Sequence, residues 1–149
     1  MRQLFLALTT IIAIAFSLSS CEKETESIVD SATLPTAALN TINEHFDEDN
    51  IMLVTYDKAL FDKEYTVVLT DGTVIDFNKS GSWESVKSTI TGVPTSIIPT
   101  PINEYIASNY SDKLVVELDK DSTGYEVKLD NQIELKFNLS GVLTGVDLD

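Results

Sequence analysis

The feature that most constrains the fold is an internal repeat. The segment YTVVLTDGTVIDFNKSG, residues 65–81, recurs as YEVKLDNQIELKFNLSG, residues 125–141, at an offset of 60 positions. The residues shared by the two copies are Tyr65, Val67, Leu69, Phe77, Asn78, Ser80 and Gly81 in the first and Tyr125, Val127, Leu129, Phe137, Asn138, Ser140 and Gly141 in the second. A chain that repeats a pattern in this way is expected to build one structural unit twice.

A second pair of similar segments lies upstream of each copy. LPTAALNTINEHF, residues 34–46, matches IPTPINEYIASNY, residues 98–110, at an offset of 64. Pro35 and Pro99 suit the first turn of a helix, where the missing N–H costs nothing. Apolar residues follow at helical spacing, namely Ala38, Leu39, Ile42 and Phe46 in the first segment and Ile102, Tyr105, Ile106 and Tyr110 in the second. Both segments are therefore predicted to be helices with one apolar stripe.

The repeated segment itself is predicted to be a β-hairpin with a three-residue turn. A turn at residues 70–72 places Leu69 opposite Thr73, and the equivalent turn at residues 130–132 places Leu129 opposite Ile133. This register makes one face of each hairpin apolar and the other largely polar, as a half-buried antiparallel sheet requires. Gly72 suits the left-handed position of such a turn, whereas Gln132 in the second copy is expected to be mildly strained.

These elements predict an α+β fold made of a tandem repeat. Each repeat is one helix followed by a four-stranded antiparallel sheet, with the helix packed on the apolar face. We expect the repeats to span residues 33–90 and 98–149, joined by a linker at residues 91–97. Because one such unit is short of core, the two units are expected either to share a continuous sheet or to pack together.

The amino terminus has the pattern of a lipoprotein signal peptide at residues 1–20. Arg2 precedes an apolar run that is too short for a permanent membrane span. The residues that follow, Leu18, Ser19, Ser20 and Cys21, resemble a bacterial lipobox, which implies acylation of the Cys21 thiol. Residues 21–32 would then be a flexible tether. The resemblance implies an outer-membrane-anchored lipoprotein in a Gram-negative envelope, periplasmic or surface-exposed, that meets the membrane through its lipid alone.

Composition argues against several functional classes. The formal net charge is −14, from 24 acidic and 10 basic residues. Nucleic acid is not expected as a partner, because phosphate binding needs a basic surface. His45 is the one histidine and Cys21 the one cysteine, so His45 is expected to be structural or solvated. With no nucleophile motif and no phosphate loop, we expect neither catalytic activity nor a cofactor.

One segment has the spacing of a calcium ligand set. DKDSTG, residues 119–124, resembles the first half of an EF-hand loop, with Asp119, Asp121 and Thr123 as oxygen donors and Asp130 at the twelfth position. However, residues 125–129 alternate as a strand where the loop should continue. A tight turn is the alternative interpretation.

Both repeats resemble a family of Bacteroidetes lipoproteins, the PepSY-like, β-lactamase-inhibitor-like proteins. The matching segments, within residues 33–149, are the LP pair before the first helix, YTVVLTDGTVIDFNKSGSW, VPTSIIPTPINEYI and GYEVKLDNQIELKF. The resemblance implies the fold of the β-lactamase inhibitor protein, in which tandem helix-plus-four-strand repeats form a curved sheet. Since function does not follow from fold, no inhibitory residue is transferred to this chain.

The sequence leaves three functional hypotheses. The first is a non-catalytic envelope module that binds an unidentified protein or peptide on the sheet surface, with Thr66, Val68, Thr70 and Val74 as the candidate face. The second is an inhibitor of a secreted hydrolase, either a peptidase or a β-lactamase. The third is a calcium-binding structural lipoprotein.

Overall fold

The computed structural model describes residues 26–58 and 65–148 of the chain. The predicted signal peptide and lipobox therefore lie outside the described residues. The two α-helices are α1 (Thr36–His45) and α2 (Thr100–Asn109), and single 3₁₀ turns occur at Ser31–Thr33 and Glu48–Asn50. The strands are β1 (Glu26–Ile28), β2 (Ile51–Asp57), β3 (Tyr65–Leu69), β4 (Val74–Phe77), β5 (Trp83–Lys87), β6 (Val115–Lys120), β7 (Gly124–Leu129), β8 (Ile133–Asn138) and β9 (Leu143–Leu148).

The nine strands of the described residues form a single antiparallel sheet in which each strand pairs with the next one in the sequence. The repeats do not form two separate four-stranded sheets, because β5 pairs with β6 and joins the two halves edge to edge. Of the two expected arrangements, the shared continuous sheet is the one observed. The helices lie in the connections between β1 and β2 and between β5 and β6. β1 adds a ninth strand within residues 21–32, which were expected to be a tether.

Both helices bury the stripe that their apolar spacing predicts. Ala38 and Ile42 on α1 are fully buried, as is Ile102 on α2, while Ile106 retains 7% exposure. Neither helix is capped by a side chain, and each begins directly after a proline. The stability of these ten-residue helices therefore comes from packing on the sheet, since isolated helices of this length are marginal.

The predicted hairpin register is confirmed in both copies. Tyr65 pairs with Phe77, and Tyr125 with Phe137. The three-residue turns also form as expected, with the backbone N–H of Gly72 and of Gln132 donating to the carbonyl three residues earlier. Gln132 has a φ of 68°, the one positive value among the described non-glycine residues.

Gly81 and Gly141 bring each helix close to its hairpin. Both have positive φ, +84° and +77°. A Cβ atom at Gly81 would lie 2.7 Å from the Cβ of Pro35, and one at Gly141 would lie 2.8 Å from the Cβ of Pro101. The repeated Gly is thus required both by backbone conformation and by contact with the start of the helix.

The hydrophobic core lies between the helices and one face of the sheet. Tyr65 and Tyr125 are half-buried against it in both repeats. No helix among the described residues is long and apolar enough to cross a membrane. The buried strand residues of this core are Val54, Val67, Leu69, Ile75, Phe77, Val86, Val115, Leu118, Val127, Leu129, Leu135 and Phe137.

Candidate functional site

The opposite side of the sheet, which we call the helix-free face, is the candidate site. Side chains alternate between the faces of a strand, and the pairing register arranges those of the helix-free face in two rows. The first row contains Thr55, Thr66, Asp76, Ser85, Asp119, Glu126, Lys136 and Gly145. The second row contains Leu53, Val68, Val74, Lys87, Glu117, Lys128, Glu134 and Asp147.

The half of this face that belongs to the first repeat is largely neutral and partly apolar. Leu53, Val68 and Val74 are consecutive in the second row and half-buried. The structure therefore brings together three of the four predicted face residues, Thr66, Val68 and Val74. Thr70 is exposed in the adjoining turn, where its N–H donates to the carbonyl of Asn50 over 2.9 Å.

Two polar residues near the middle of the helix-free face are buried although no helix covers them. Asp76 is 8% exposed and Ser85 is 3% exposed. The Thr66 hydroxyl donates to Asp76 Oδ1 over 2.7 Å. Strand register shifts after Asp76 and after Lys136 bend the sheet at equivalent points of the two repeats. We attribute the burial of Asp76 and Ser85 to neighbouring side chains on a bent sheet.

The rest of the face, from β5 at the junction through the second repeat, carries ion pairs. Lys87 Nζ lies 2.8 Å from Glu117 Oε1. Lys136 Nζ lies 2.8 Å from Asp147 Oδ2 and 3.3 Å from Glu134 Oε1. The hydrogen bond to Glu117 raises the pKa of Lys87, and the hydrogen bonds to Asp147 and Glu134 raise that of Lys136.

Two adjacent carboxyl groups on this half are less acidic than usual. Asp119 and Glu126 are directly opposite each other on β6 and β7. Burial raises the pKa of Asp119; the Ser85 hydroxyl opposes this shift and Glu117 adds to it. Burial also raises the pKa of Glu126, and its contact with Glu134 adds to the shift. Sequence analysis missed this pair, because the two residues belong to different strands and no motif links them.

The residues of the predicted calcium loop are not brought together. Asp121 Oδ1 accepts hydrogen bonds from the Thr123 N–H, the Thr123 hydroxyl and the Gly124 N–H, at 2.6, 2.7 and 3.0 Å. These bonds lower the pKa of Asp121 and close a tight turn. Asp130 lies beyond the other end of β7, roughly 20 Å away at ~3.3 Å per strand residue. Within residues 26–58 and 65–148, no three acidic, histidine or cysteine side chains form a group that could hold a metal.

His45 connects α1 to the linker between the repeats. Its Nδ1 lies 3.1 Å from the Ser96 hydroxyl, and its Nε2 lies 3.9 Å from Glu44 Oε2. The second distance is too long for a hydrogen bond, so these residues do not form the relay of a nucleophilic triad. Sequence analysis missed the contact with Ser96, because the two residues are far apart in the chain and no motif links them.

Two surface depressions accompany the sheet. One of about 390 Å³ lies at the Asp121 end of β6, β7 and β8, and its lining includes Asp119, Glu126 and Lys136. The other, of about 530 Å³, lies between the linker and α2 and is lined partly by Ile98 and Tyr110. The first depression extends the charged half of the helix-free face to its rim.

Comparison with known proteins finds one matching family and several similar solved structures. The profile of a family described as "Putative beta-lactamase-inhibitor-like, PepSY-like" matches residues 7–62 and 63–144. No curated protein matches the chain.

Solved structures from two Bacteroides species resemble this one over 82–84% of its chain. A protein of Bacteroides thetaiotaomicron, described as a "putative calcium-regulated periplasmic protein", is 35% identical with a TM-score of 0.77; the alignment covers 82% of this chain and 96% of that one. A "putative periplasmic protein" of Bacteroides vulgatus is 30% identical with a TM-score of 0.76, covering 84% and 98%. Another protein of that species, described as of unknown function, is 30% identical with a TM-score of 0.75, covering 82% and 98%.

Proposed function

The chain belongs to the PepSY-like, β-lactamase-inhibitor-like family, and from this premise we propose that it is a non-catalytic envelope protein that holds a protein or peptide on its helix-free face. The observation that carries the proposal is the arrangement of that face. A partly apolar half, around Val68 and Val74, adjoins a charged half, around Lys87 and Glu117. The periplasmic description of the similar structures supports a location in the envelope.

The two halves would contribute differently to binding. Val68 and Val74 remain half-exposed, so a partner that covered them would remove apolar surface from water, the main favourable term in association. The ion pairs of the other half would select partners by charge and orientation more than they would add affinity. This division matches the usual interface, in which apolar anchors are surrounded by polar groups.

Site-specific photocrosslinking tests the proposal. A photoreactive amino acid at Val68 is expected to give a discrete adduct in living cells, whereas the same group at the exposed Asn40 of α1 or Ser108 of α2 gives none. The Val68→Lys substitution should abolish binding of the recovered partner. The absence of an adduct from Val68, or equal labelling from the helix positions, would remove the helix-free face as the binding surface.

We further propose that Cys21 anchors the protein to the outer membrane as a diacylated residue. The buried acyl chains would contribute ~0.8 kcal/mol per CH₂ group. Mass spectrometry should find the mature protein beginning at a lipid-modified Cys21, and Cys21→Ser should release the protein from the membrane fraction. An unmodified thiol, or a membrane association that survives the substitution, would contradict lipid anchoring.

Inhibition of a secreted hydrolase is the second candidate, favoured by the description of the family. An inhibitor must present residues that block an active site, in addition to an adhesive surface. Steady-state assays against a panel of peptidases and β-lactamases test this activity directly. Unchanged rates at micromolar protein would exclude inhibition of those enzymes while leaving the binding proposal intact.

A calcium response is the third candidate, favoured by the relative described as calcium-regulated. Asp119 would be the principal ligand, because Asp121 is already occupied by its turn. A site with so few carboxylates would bind weakly, with a dissociation constant on the order of 10⁻⁴–10⁻³ M. Calorimetric titration should then show heat that is lost in Asp119→Asn but kept in Asp71→Asn; a titration without heat would eliminate this candidate.

A further inference from the structure

The last strand of the sheet, β9, is the structural equivalent of β5. β5 pairs with β4 through Ile75–Val86 and Asp76–Ser85, and β9 pairs with β8 through the equivalent Leu135–Val146 and Lys136–Gly145. Every pair of the first set maps onto the second by adding 60 to both residue numbers, and the register shift occurs at the same point. The two strands therefore present the same backbone edge.

The two edges differ in what covers them. The outer edge of β5 is filled by β6, through Val86–Leu118 and Lys87–Glu117 pairs. The outer edge of β9 has no partner strand within the described part of the chain. Val86 is consequently fully buried, whereas its counterpart Val146 is 46% exposed.

Two residues further along the chain, on the same face of the sheet, the contrast recurs. Ser88 is 2% exposed, while its counterpart Leu148 is 79% exposed. β9 contains no proline or lysine and runs for six residues. It has a register shift and an acidic residue, Asp147, but β5 has the equivalent shift and still pairs with β6. β1, at the other edge of the sheet, is only three residues long. Of the two edges, β9 is thus the one built to accept a strand.

From this equivalence we infer that β9 binds an extended segment of another protein as a tenth, antiparallel strand, and that the segment alternates apolar and basic residues. This edge adjoins the charged half of the helix-free face, whose second row ends at Asp147, and it lies at the opposite end of the sheet from Val68. The bound segment would take the place that β6 takes beside β5, with main-chain hydrogen bonds along the edge and side chains alternating between the two faces.

The apolar residues of the bound segment are inferred from the packing at the filled edge. In the filled edge, Leu118 lies opposite Val86, and both are fully buried. An apolar residue opposite Val146 would cover it in the same way, and the next apolar residue on that face would reach Leu148. The exposed apolar surface of β9 would then join the core that both helices cover.

The basic residues of the bound segment are inferred from a reversal of charge between the repeats. At the filled edge, Lys87 faces Glu117 across the strands. At β9 the counterpart of Lys87 is Asp147, and it lies opposite Glu134 with Lys136 Nζ bridging the two carboxylates. Glu134 also has Lys128 opposite it on β7, so Asp147 is the acidic end of this row, and a lysine or arginine facing Asp147 from a tenth strand would place opposite charges together.

A second copy of this chain is a poor occupant by the same criterion. Each copy carries a formal charge of −14, so self-association would bring two strongly acidic molecules together. A β9-to-β9 contact would also supply no basic side chain to Asp147, because the strand Leu143–Leu148 contains none. A basic segment from a different protein fits the edge better.

The test titrates the full-length protein with two blocked peptides, KVKVKVK and its acidic counterpart EVEVEVE. We expect the lysine peptide to bind about tenfold more tightly, because like charges at an interface are costly. Asp147→Lys should reverse this preference, so that the acidic peptide binds more tightly. Glu26→Lys makes the same charge change on the opposite edge strand and should leave the preference for the lysine peptide unchanged. Amide hydrogen exchange of the wild-type protein should show new protection at residues 143–148 with the lysine peptide.

The outcomes that overturn the inference are equally specific. They are failure of both peptides to bind, equal affinity for the two, or an equal effect of Glu26→Lys and Asp147→Lys. Protection elsewhere than residues 143–148 would do the same without relying on any variant. Sedimentation equilibrium that found a dimer disrupted by Val146→Lys would assign the edge to a second copy instead. None of these results bears on the crosslink expected from Val68, so the two proposals stand or fall separately.

Discussion

Exchange of the turn residues between the two hairpins isolates the energetic cost of one backbone conformation. Gln132 and Gly72 occupy the same position of equivalent turns, with φ of 68° and 86°. A Cβ atom at Gly72 would meet the Ile90 side chain at 3.7 Å, an ordinary contact. A side chain at this position therefore causes little steric conflict with the rest of the molecule. The backbone conformation should determine how Gln132→Gly and Gly72→Gln change the free energy of unfolding.

The expected magnitude comes from two opposing contributions. A side chain in the left-handed region costs roughly 1–2 kcal/mol relative to glycine. Glycine in turn loses more conformational freedom on folding, which offsets ~0.4–1 kcal/mol of that gain. We therefore expect Gln132→Gly to stabilise the fold by ~0.5–1 kcal/mol and Gly72→Gln to destabilise it by a similar amount. In thermal unfolding this corresponds to about 2–5 °C in each direction.

Urea unfolding followed by circular dichroism measures the difference. The midpoint should rise for Gln132→Gly and fall for Gly72→Gln, with an unchanged dependence on urea concentration, because the folded surface stays the same. If both variants were destabilised, a side-chain contact of Gln132 would outweigh the backbone cost. If both were neutral, the left-handed conformation would carry no cost in these turns. Either result would refute the reasoning.

Three further perturbations have defined outcomes. Gly81→Ala and Gly141→Ala should each cost ~2–4 kcal/mol in urea unfolding, more than Gly72→Ala, because overpacking against the helix adds to the backbone cost. Ile42→Ala, at a fully buried position, should cost ~2–5 kcal/mol by the same assay. Because the folded protein raises the pKa of Asp119, the stability that its proton contributes is full below the ordinary value of 3.8 and is lost as pH rises through the raised value. Asp119→Asn should therefore melt higher than wild type near pH 7 and converge with it near pH 4 in thermal scans.

The hairpins could be predicted because their pattern contains enough information to fix the register. Apolar residues occupy every second position from Tyr65 to Leu69 and from Tyr125 to Leu129. A three-residue turn keeps the apolar residues of both strands on one face, whereas a two-residue turn would mix polar and apolar residues on each face. The repeat then provided an independent check on each copy. The family resemblance stated from the same segments is confirmed by the profile match.

The sequence could not decide between a shared sheet and two packed units, because the joining of the two halves depends on backbone groups. The β5–β6 pairing uses main-chain hydrogen bonds that any sequence can offer, and residues 33–90 satisfy the helix-plus-four-strand pattern with or without it. β1 was not predicted for a related reason. Its three residues are exposed at the edge of the sheet, so they show no alternation of apolar and polar residues. The Asp119–Glu126 pair depends on the register between β6 and β7, for which the sequence contains no motif.

The helix-free face has diverged between the repeats far more than the core face, and this difference bears on how a partner could bind. Hairpin residues that face the helices are often identical, as with Val67 and Val127. On the other face, neutral or acidic residues of the first hairpin are exchanged for charged ones in the second, and the pairs are Thr66/Glu126, Val68/Lys128, Val74/Glu134 and Asp76/Lys136. A duplicated surface with unchanged chemistry would offer two equivalent sites and two binding orientations. A surface that is apolar at one end and ionic at the other offers one extended site, so a partner that fits both ends can bind in a single direction along the sheet.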